Sequence, residues 1–129
     1  MKGNGFTLME LMLTVIVIAI LVSLAVPNYI STVERTRARE AKATLESMRA
    51  AQLTYDAERR TFIQLTVAND SNWLAVGLEN PNDNDQRSWN FTFDDTTGAG
   101  TATRRSGMNS GETIVLQPDG AFDESGWTP

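Results

Sequence analysis

Hydrophobic and polar positions fall into three regimes along the chain. From Phe6 to Val26 almost every residue is apolar, the exceptions being Thr7, Glu10, Thr14 and Ser23. Those 21 residues, at about 1.5 Å of rise each, would reach roughly 31 Å as a helix, the hydrocarbon thickness of a membrane. Val and Ile lower intrinsic helix propensity, but in lipid each backbone N–H and C=O must be satisfied within the segment, so helix is the state available to a single span. Pro27 follows, and its missing donor and its ring predict a kink or local loosening there. The second regime begins at once. Between Tyr29 and Arg60 there is no Gly or Pro, and Ala41, Leu45, Met48, Tyr55 and Phe62 recur at steps of three, four or seven, tracing one helical face. Arg35, Arg39, Lys42, Glu46, Arg49, Asp56 and Arg59 occupy the other face, with i,i+3 and i,i+4 pairs such as Glu46 with Arg49 and Asp56 with Arg60 adding about 0.2–0.5 kcal/mol each. Together these regimes predict one long helix of about 55 residues, apolar all round in its first part and amphipathic in its second.

In the third regime the period changes to two. Phe62 to Asn80 reads as a connection, with Ser71 or Asn72 starting a short turn that carries Trp73, Leu74 and Val76. Pro81-Asn82-Asp83-Asn84-Asp85 reads as a solvated turn. Trp89, Phe91 and Phe93 then alternate with Asn90, Thr92 and Asp94, the signature of a half-buried strand with its aromatic face inward. Thr96 to Gly100 makes a turn, Thr101 to Arg105 a second strand, and Thr113 to Leu116 a third, closed by Pro118-Asp119-Gly120. Short strands with Gly-rich links favour an antiparallel meander. Its aromatic face against the Ala41 to Phe62 stripe completes one core, so the expected class is α+β: a long N-terminal helix packed on a small antiparallel sheet.

Composition narrows the chemistry. The chain of 129 residues has room for one span and one domain. It contains no cysteine and no histidine, which excludes disulfide staples, thiol nucleophiles, Ser-His pairs and imidazole zinc sites. No phosphate-binding glycine motif occurs, and the adjacent carboxylates Asp94-Asp95 and Asp123-Glu124 lie in polar segments without positioned partners. No catalytic activity is expected. Charge is uneven: residues 1–60 carry eight Lys or Arg and six Asp or Glu, net +2, and residues 61–129 carry three and ten, net −7, together the −5 of the whole chain. Lys2 favours a cytoplasmic N-terminus, whereas Arg35, Arg37 and Arg39 after the span pull weakly the other way. An acidic C-terminal part with only Arg104-Arg105 as a basic doublet argues against nucleic-acid binding.

The one residue out of place is Glu10, a carboxylate inside the apolar span. A charge left unpaired in hydrocarbon costs several kcal/mol, and no basic residue lies between Lys2 and Arg35. Its partner must then be headgroup water, a proton, or a cation from another molecule or from a newly made chain terminus.

Gly5-Phe6-Thr7-Leu8-Met9-Glu10, followed by the apolar run and Pro27-Asn28-Tyr29, resembles the prepilin signature of type IV pilins and the related pseudopilins. The resemblance implies that residues 1–5 are a leader removed after Gly5 by a prepilin peptidase, and that the same enzyme N-methylates Phe6. It further implies that 6–27 is the membrane and assembly helix, with Glu10 the assembly carboxylate and Pro27 the helix-perturbing proline. Residues 28–129, including an amphipathic helix over 28–60, would form the exported domain. The implied partners are further copies of the chain in a helical filament, the peptidase, an inner-membrane assembly machinery, and lipid before assembly. The implied location is the inner membrane, then a surface pilus or a periplasmic pseudopilus. Met9 stands where Ile is commoner, and the leader carries a single basic residue.

Other readings fit less of the sequence. A secretory signal has a shorter apolar core and ends in a small-residue cleavage site after it, which Ala19 to Ala25 would have to supply. A bitopic anchor carrying a binding domain accounts for the span but not for Glu10 or the Gly5-Phe6 junction. A secretion-system pseudopilin shares all the N-terminal features and differs in destination. The C-terminal segment bears on that choice: Asp119, Asp123, Glu124 and Ser125 are oxygen donors of the kind calcium takes, and the segment resembles in part the calcium-binding tail of major pseudopilins. The simpler reading is a polar turn with Trp127 tucked onto the sheet and no cofactor.

Overall fold

In a computed structural model of the chain, residues 3–129 are described; Lys2, to which the orientation argument appeals, lies outside the described residues. The chain divides into two compact units, one ending at Glu34 and the other spanning Arg35–Pro129. The elements, in order, are helix α1 (Leu8–Arg59), helix α2 (Asp70–Ala75), a 3-10 turn (Pro81–Asp83), and strands β1 (Trp89–Asp94), β2 (Ala99–Arg104), β3 (Thr113–Leu116) and β4 (Phe122–Asp123).

The first unit is the N-terminal part of α1. None of its most apolar 18-residue window is buried, and its Leu, Ile, Val and Met side chains face outward on all sides. Helical structure runs on through Pro27, so the proline interrupts one hydrogen bond, the one its absent N–H would have made to the Ser23 carbonyl, without ending the helix. α1 is 52 residues long and stops where Arg60 adopts a left-handed φ of 58°.

The second unit is an antiparallel meander in the order β1-β2-β3-β4, packed on the C-terminal part of α1. β1 pairs with β2 from Trp89↔Arg104 to Asp94↔Ala99. β2 pairs with β3 from Gly100↔Leu116 to Thr103↔Thr113. Trp89, Phe91 and Phe93 point inward as the alternation predicts, and with Ala102, Ile114 and Leu116 they meet Ala38, Ala41, Leu45 and Met48 of α1. Small residues on α1 let the large ones approach: the indole Nε1 of Trp89 reaches the Arg37 carbonyl at 3.1 Å. Gly100 serves the same end, since a Cβ there would lie 3.2 Å from Leu45 Cδ2.

Several expectations need correction. Of the predicted stripe, Ala41, Leu45 and Met48 are fully buried, but Tyr55 is half-buried and Phe62 lies beyond the helix, edge-on to Phe93 with ring centroids 5.7 Å apart. The buried position in that last stretch of α1 is Gln52, whose amide accepts from Ile63 N–H at 3.1 Å and donates to Ile63 C=O at 2.6 Å. A polar residue takes a core position because the chain leaving the helix brings backbone groups that need partners. β2 starts two residues early, at Ala99, because Gly98 at φ 72° completes the turn. A fourth strand, β4, follows the Pro118-Asp119-Gly120 turn. The short turn expected from Ser71 or Asn72 is α2, capped by Asn69, with Trp73 completely buried.

The largest revision concerns residues 81–85. Asn82 is 4% exposed, not solvated. Its Oδ1 accepts from Phe91 N–H at 2.7 Å and its Nδ2 donates to Phe91 C=O at 2.9 Å. A side-chain amide thus stands in for one residue of a neighbouring strand. Two residues on, Leu65 and Phe93 exchange backbone bonds of 3.0 and 2.9 Å. Between them, these contacts close the outer edge of β1, which would otherwise offer a template to another chain.

Candidate assembly site

Thr7 caps α1. Its Oγ1 accepts the Glu10 N–H at 3.2 Å, while Glu10 Oε2 accepts the Thr7 N–H at 3.2 Å and the Thr7 hydroxyl at 3.3 Å. This is a capping box, in which two helix-end donors that would lack intrahelical partners are satisfied reciprocally. The carboxylate also lies at the positive end of the helix dipole. The misfit of the sequence therefore has a local partner, one that the list of headgroup water, proton and foreign cation left out. The sequence carries the signal for it as Thr7-x-x-Glu10, the S/T-x-x-E pattern of a capping box.

Gly5 and Phe6 lie before the first helical residue and both are exposed, Phe6 by 87%. Among the described residues nothing stands within 4 Å of where a Gly5 side chain would begin. Gly5, Phe6, Thr7 and Glu10 follow closely in sequence at the start of the span, and of these Thr7 and Glu10 are joined by hydrogen bonds. Pro27 stands apart from them, near the end of the apolar run.

The residues considered for calcium do not form a metal-holding cluster. Asp119 Oδ1 accepts the Ala121 N–H at 2.9 Å. Asp123 Oδ1 accepts the Ser125 hydroxyl at 2.6 Å and its N–H at 2.9 Å, and these bonds hold the Asp123 carboxyl below its usual pKa. Glu124 Oε1 lies 2.8 Å from Lys42 Nζ. Each carboxylate has a protein partner, and among the described residues no group of three or more acidic, histidine or cysteine side chains is placed to hold a metal. Lys42 also lies 5.3 Å from the Phe122 ring centroid, and Arg49 donates to the Pro118 carbonyl at 3.0 Å. Two cations from α1 thus fasten the C-terminal segment to the helix. The basic doublet is split: Arg104, 4% exposed, is turned inward and donates to Ser88 C=O at 2.6 Å, whereas Arg105 is exposed and donates to Asp85 C=O at 2.7 Å.

An exposed apolar helix of membrane-spanning length that opens on a capped carboxylate, and whose later turns carry an antiparallel sheet, defines the type IV pilin-like class of α+β protein. Comparison with known proteins points the same way. The chain is similar to the type IV major pilin protein PilA of Myxococcus xanthus, 40% identical over 58 residues, which is 45% of this chain and 26% of that protein. It is also similar to the type IV narrow pilus major component PilA5 of Thermus thermophilus, 35% identical over 51 residues, 40% of this chain and 44% of that protein. The chain thus spans about a quarter of the one relative and less than half of the other. No protein-family model matches it. In fold and in this partial sequence likeness the chain resembles type IV pilins.

Proposed function

We propose that this chain is the structural subunit of a type IV pilus, cut after Gly5 by a prepilin peptidase, methylated on Phe6, and polymerised through its N-terminal helix by an inner-membrane machinery. The observation that carries the reading is the apolar part of α1, exposed on every side and opening on the Thr7–Glu10 capping box. Such a surface needs a non-aqueous solvent, which lipid supplies before assembly and the helices of other subunits supply after it. Lipid tails are as apolar as those helices, so the exchange gains little transfer energy, and packing and polar contacts must decide the register. Glu10 is the polar contact the helix has to offer.

Cleavage creates the cation that Glu10 lacks. While the leader is attached, residue 6 has an amide nitrogen, and Glu10 stays with Thr7. Once the bond is cut, the Phe6 amine is a charged donor, and a charge-assisted bond from a neighbour's amine outcompetes the neutral N–H of Thr7. Methylation leaves that amine able to hold its proton. Processing and assembly competence are thereby the same event.

The test is mass spectrometry of protein sheared from the cell surface, with electron microscopy of the sheared fraction. The expected mass begins at Phe6 with one added methyl group, and Glu10→Ala yields processed subunit but few filaments. An intact leader on surface protein would sink the reading.

A further inference from the structure

Within the unit Arg35–Pro129, a groove of about 660 Å³ runs between the Glu40 and Thr44 turn of α1, the 3-10 turn, and the start of β1. Its size lies within the roughly 300–1,000 Å³ of sites that hold ligand groups. The carboxylates of Glu40, Glu79 and Asp83 stand on its wall, and Arg87 is the one cation there. Arg87 is spoken for: its Nε donates to Asn90 Oδ1 at 2.9 Å and its guanidinium to the Asn84 carbonyl at 3.1 Å. Glu40 and Glu79 are exposed, and among the described residues neither carboxylate has a side-chain partner. The groove therefore presents net negative charge over a floor made by Trp89 and Phe91.

The cations of the same unit are distributed in a complementary way. Lys42, Arg49, Arg104 and Arg105 are bound to groups of their own chain. Arg35 and Arg39 are both exposed, one helical turn apart and so on one face of α1, and among the described residues neither guanidinium has a partner. A planar guanidinium matches a carboxylate with two parallel hydrogen bonds.

Resting on the filament reading, we propose that the acidic groove receives the Arg35 and Arg39 side chains of a second copy of this chain. The two patches differ, so the contact is heterologous: each copy gives its arginines to one neighbour and its groove to another. Contacts of that kind do not close on themselves unless the rotation happens to form a ring, and repeat into an open helical assembly. The pair thus supplies a register mark in the globular part, separate from Glu10 in the span.

Because the chain has no cysteine, a disulfide between two introduced thiols identifies the contact directly. Cells co-express full-length chains carrying Arg39→Cys and Glu79→Cys, and sheared filaments are run on a non-reducing gel. The expected product is a mixed dimer, absent when Arg59→Cys replaces Arg39→Cys. In parallel, Arg35→Glu with Arg39→Glu lowers filament yield about fivefold at low salt, the size expected for one or two exposed pairs, and combining it with Glu40→Arg and Glu79→Arg restores the yield. Restoration also shows that the first variant folds. Normal filaments without the mixed dimer, or a loss that the groove variant does not restore, overturn the contact and leave the filament reading standing; the latter outcome would point the arginines at anionic lipid headgroups instead. Absence of filaments from the unaltered chain sinks both.

Discussion

Replacing Asn82 tests whether the edge of the sheet is closed as described. In Asn82→Ala the Phe91 N–H and C=O lose partners at 2.7 and 2.9 Å, while Phe91 is 6% exposed and leaves water little access. Each orphaned buried group costs about 1–3 kcal/mol. The Asn80 oxygen keeps one of its two donors, the Asn82 N–H at 3.0 Å, and adds little. The expected loss is therefore about 2–6 kcal/mol, a large share of the 5–15 kcal/mol that holds an ordinary domain together. Urea unfolding of the full chain in detergent micelles, followed by tryptophan fluorescence, reads it out, because Trp73 and Trp89 are 0% and 1% exposed. Asn82→Asp sharpens the test. It keeps the acceptor for the Phe91 N–H but sets an oxygen where Nδ2 donates, against the Phe91 carbonyl and Asn80 Oδ1. The protonated acid regains a donor, so the folded state favours the proton and stability falls as pH rises past the ordinary carboxyl value of about 3.9. A loss below about 0.5 kcal/mol for the alanine variant would mean that water replaces the amide, and the edge closure would be wrong.

Three further outcomes follow from the geometry. Arg60 holds φ at 58°, a conformation that costs an L residue roughly 1–2 kcal/mol; Arg60→Gly is expected to raise the unfolding midpoint, by an amount equivalent to about 0.5–1 kcal/mol after the extra freedom of glycine in the unfolded chain is subtracted. Asp94 and Asp123 are held below the ordinary carboxyl value, Asp94 by the N–H groups of Thr97 and Thr96 and Asp123 by the Ser125 hydroxyl and N–H. Their contribution is then complete above the unfolded carboxyl range and is lost as pH falls through the folded values, so a melting series from pH 7 down to about 3 should drop at the acid end, and less steeply in Asp94→Asn with Asp123→Asn. Millimolar calcium is expected to leave the melting temperature of the full chain unchanged, since Glu124 is held by Lys42 at 2.8 Å and both aspartates cap their own turns; a clear rise would show that calcium displaces the lysine.

Legibility followed the range of the interaction. Local signals were readable: the apolar run, the 3.6-residue stripe through Ala41, Leu45 and Met48, and the period-two alternation of β1 all appear where they were expected, because each depends on neighbours in sequence. Misreadings arose where a side chain serves a distant backbone. Gln52 and Asn82 are polar residues in polar contexts, and nothing within a few positions of either reveals that Ile63 and Phe91 present unpaired N–H and C=O groups to them. β4 has two residues, too few to carry a period, and exists because β3 offers an edge. The Thr7–Glu10 cap is a different case: its S/T-x-x-E pattern is local and stands in the sequence, where it competes with the apolar surroundings of Glu10 as an account of that carboxylate.

By itself the sequence determined that this protein carries a membrane-length apolar helix with a carboxylate at its start, no cysteine or histidine chemistry, and an aromatic strand to cover an amphipathic helix. These are matters of composition and period, and no folding is needed to read them. Only the tertiary structure decided which polar groups are spent and which remain. It buries Arg104, gives Lys42 to Glu124, and leaves Arg35 and Arg39 facing outward on a chain whose acidic groove lies between α1 and β1. The physical reason is that a charged side chain's availability depends on the partner it finds across space, and sequence distance says little about that.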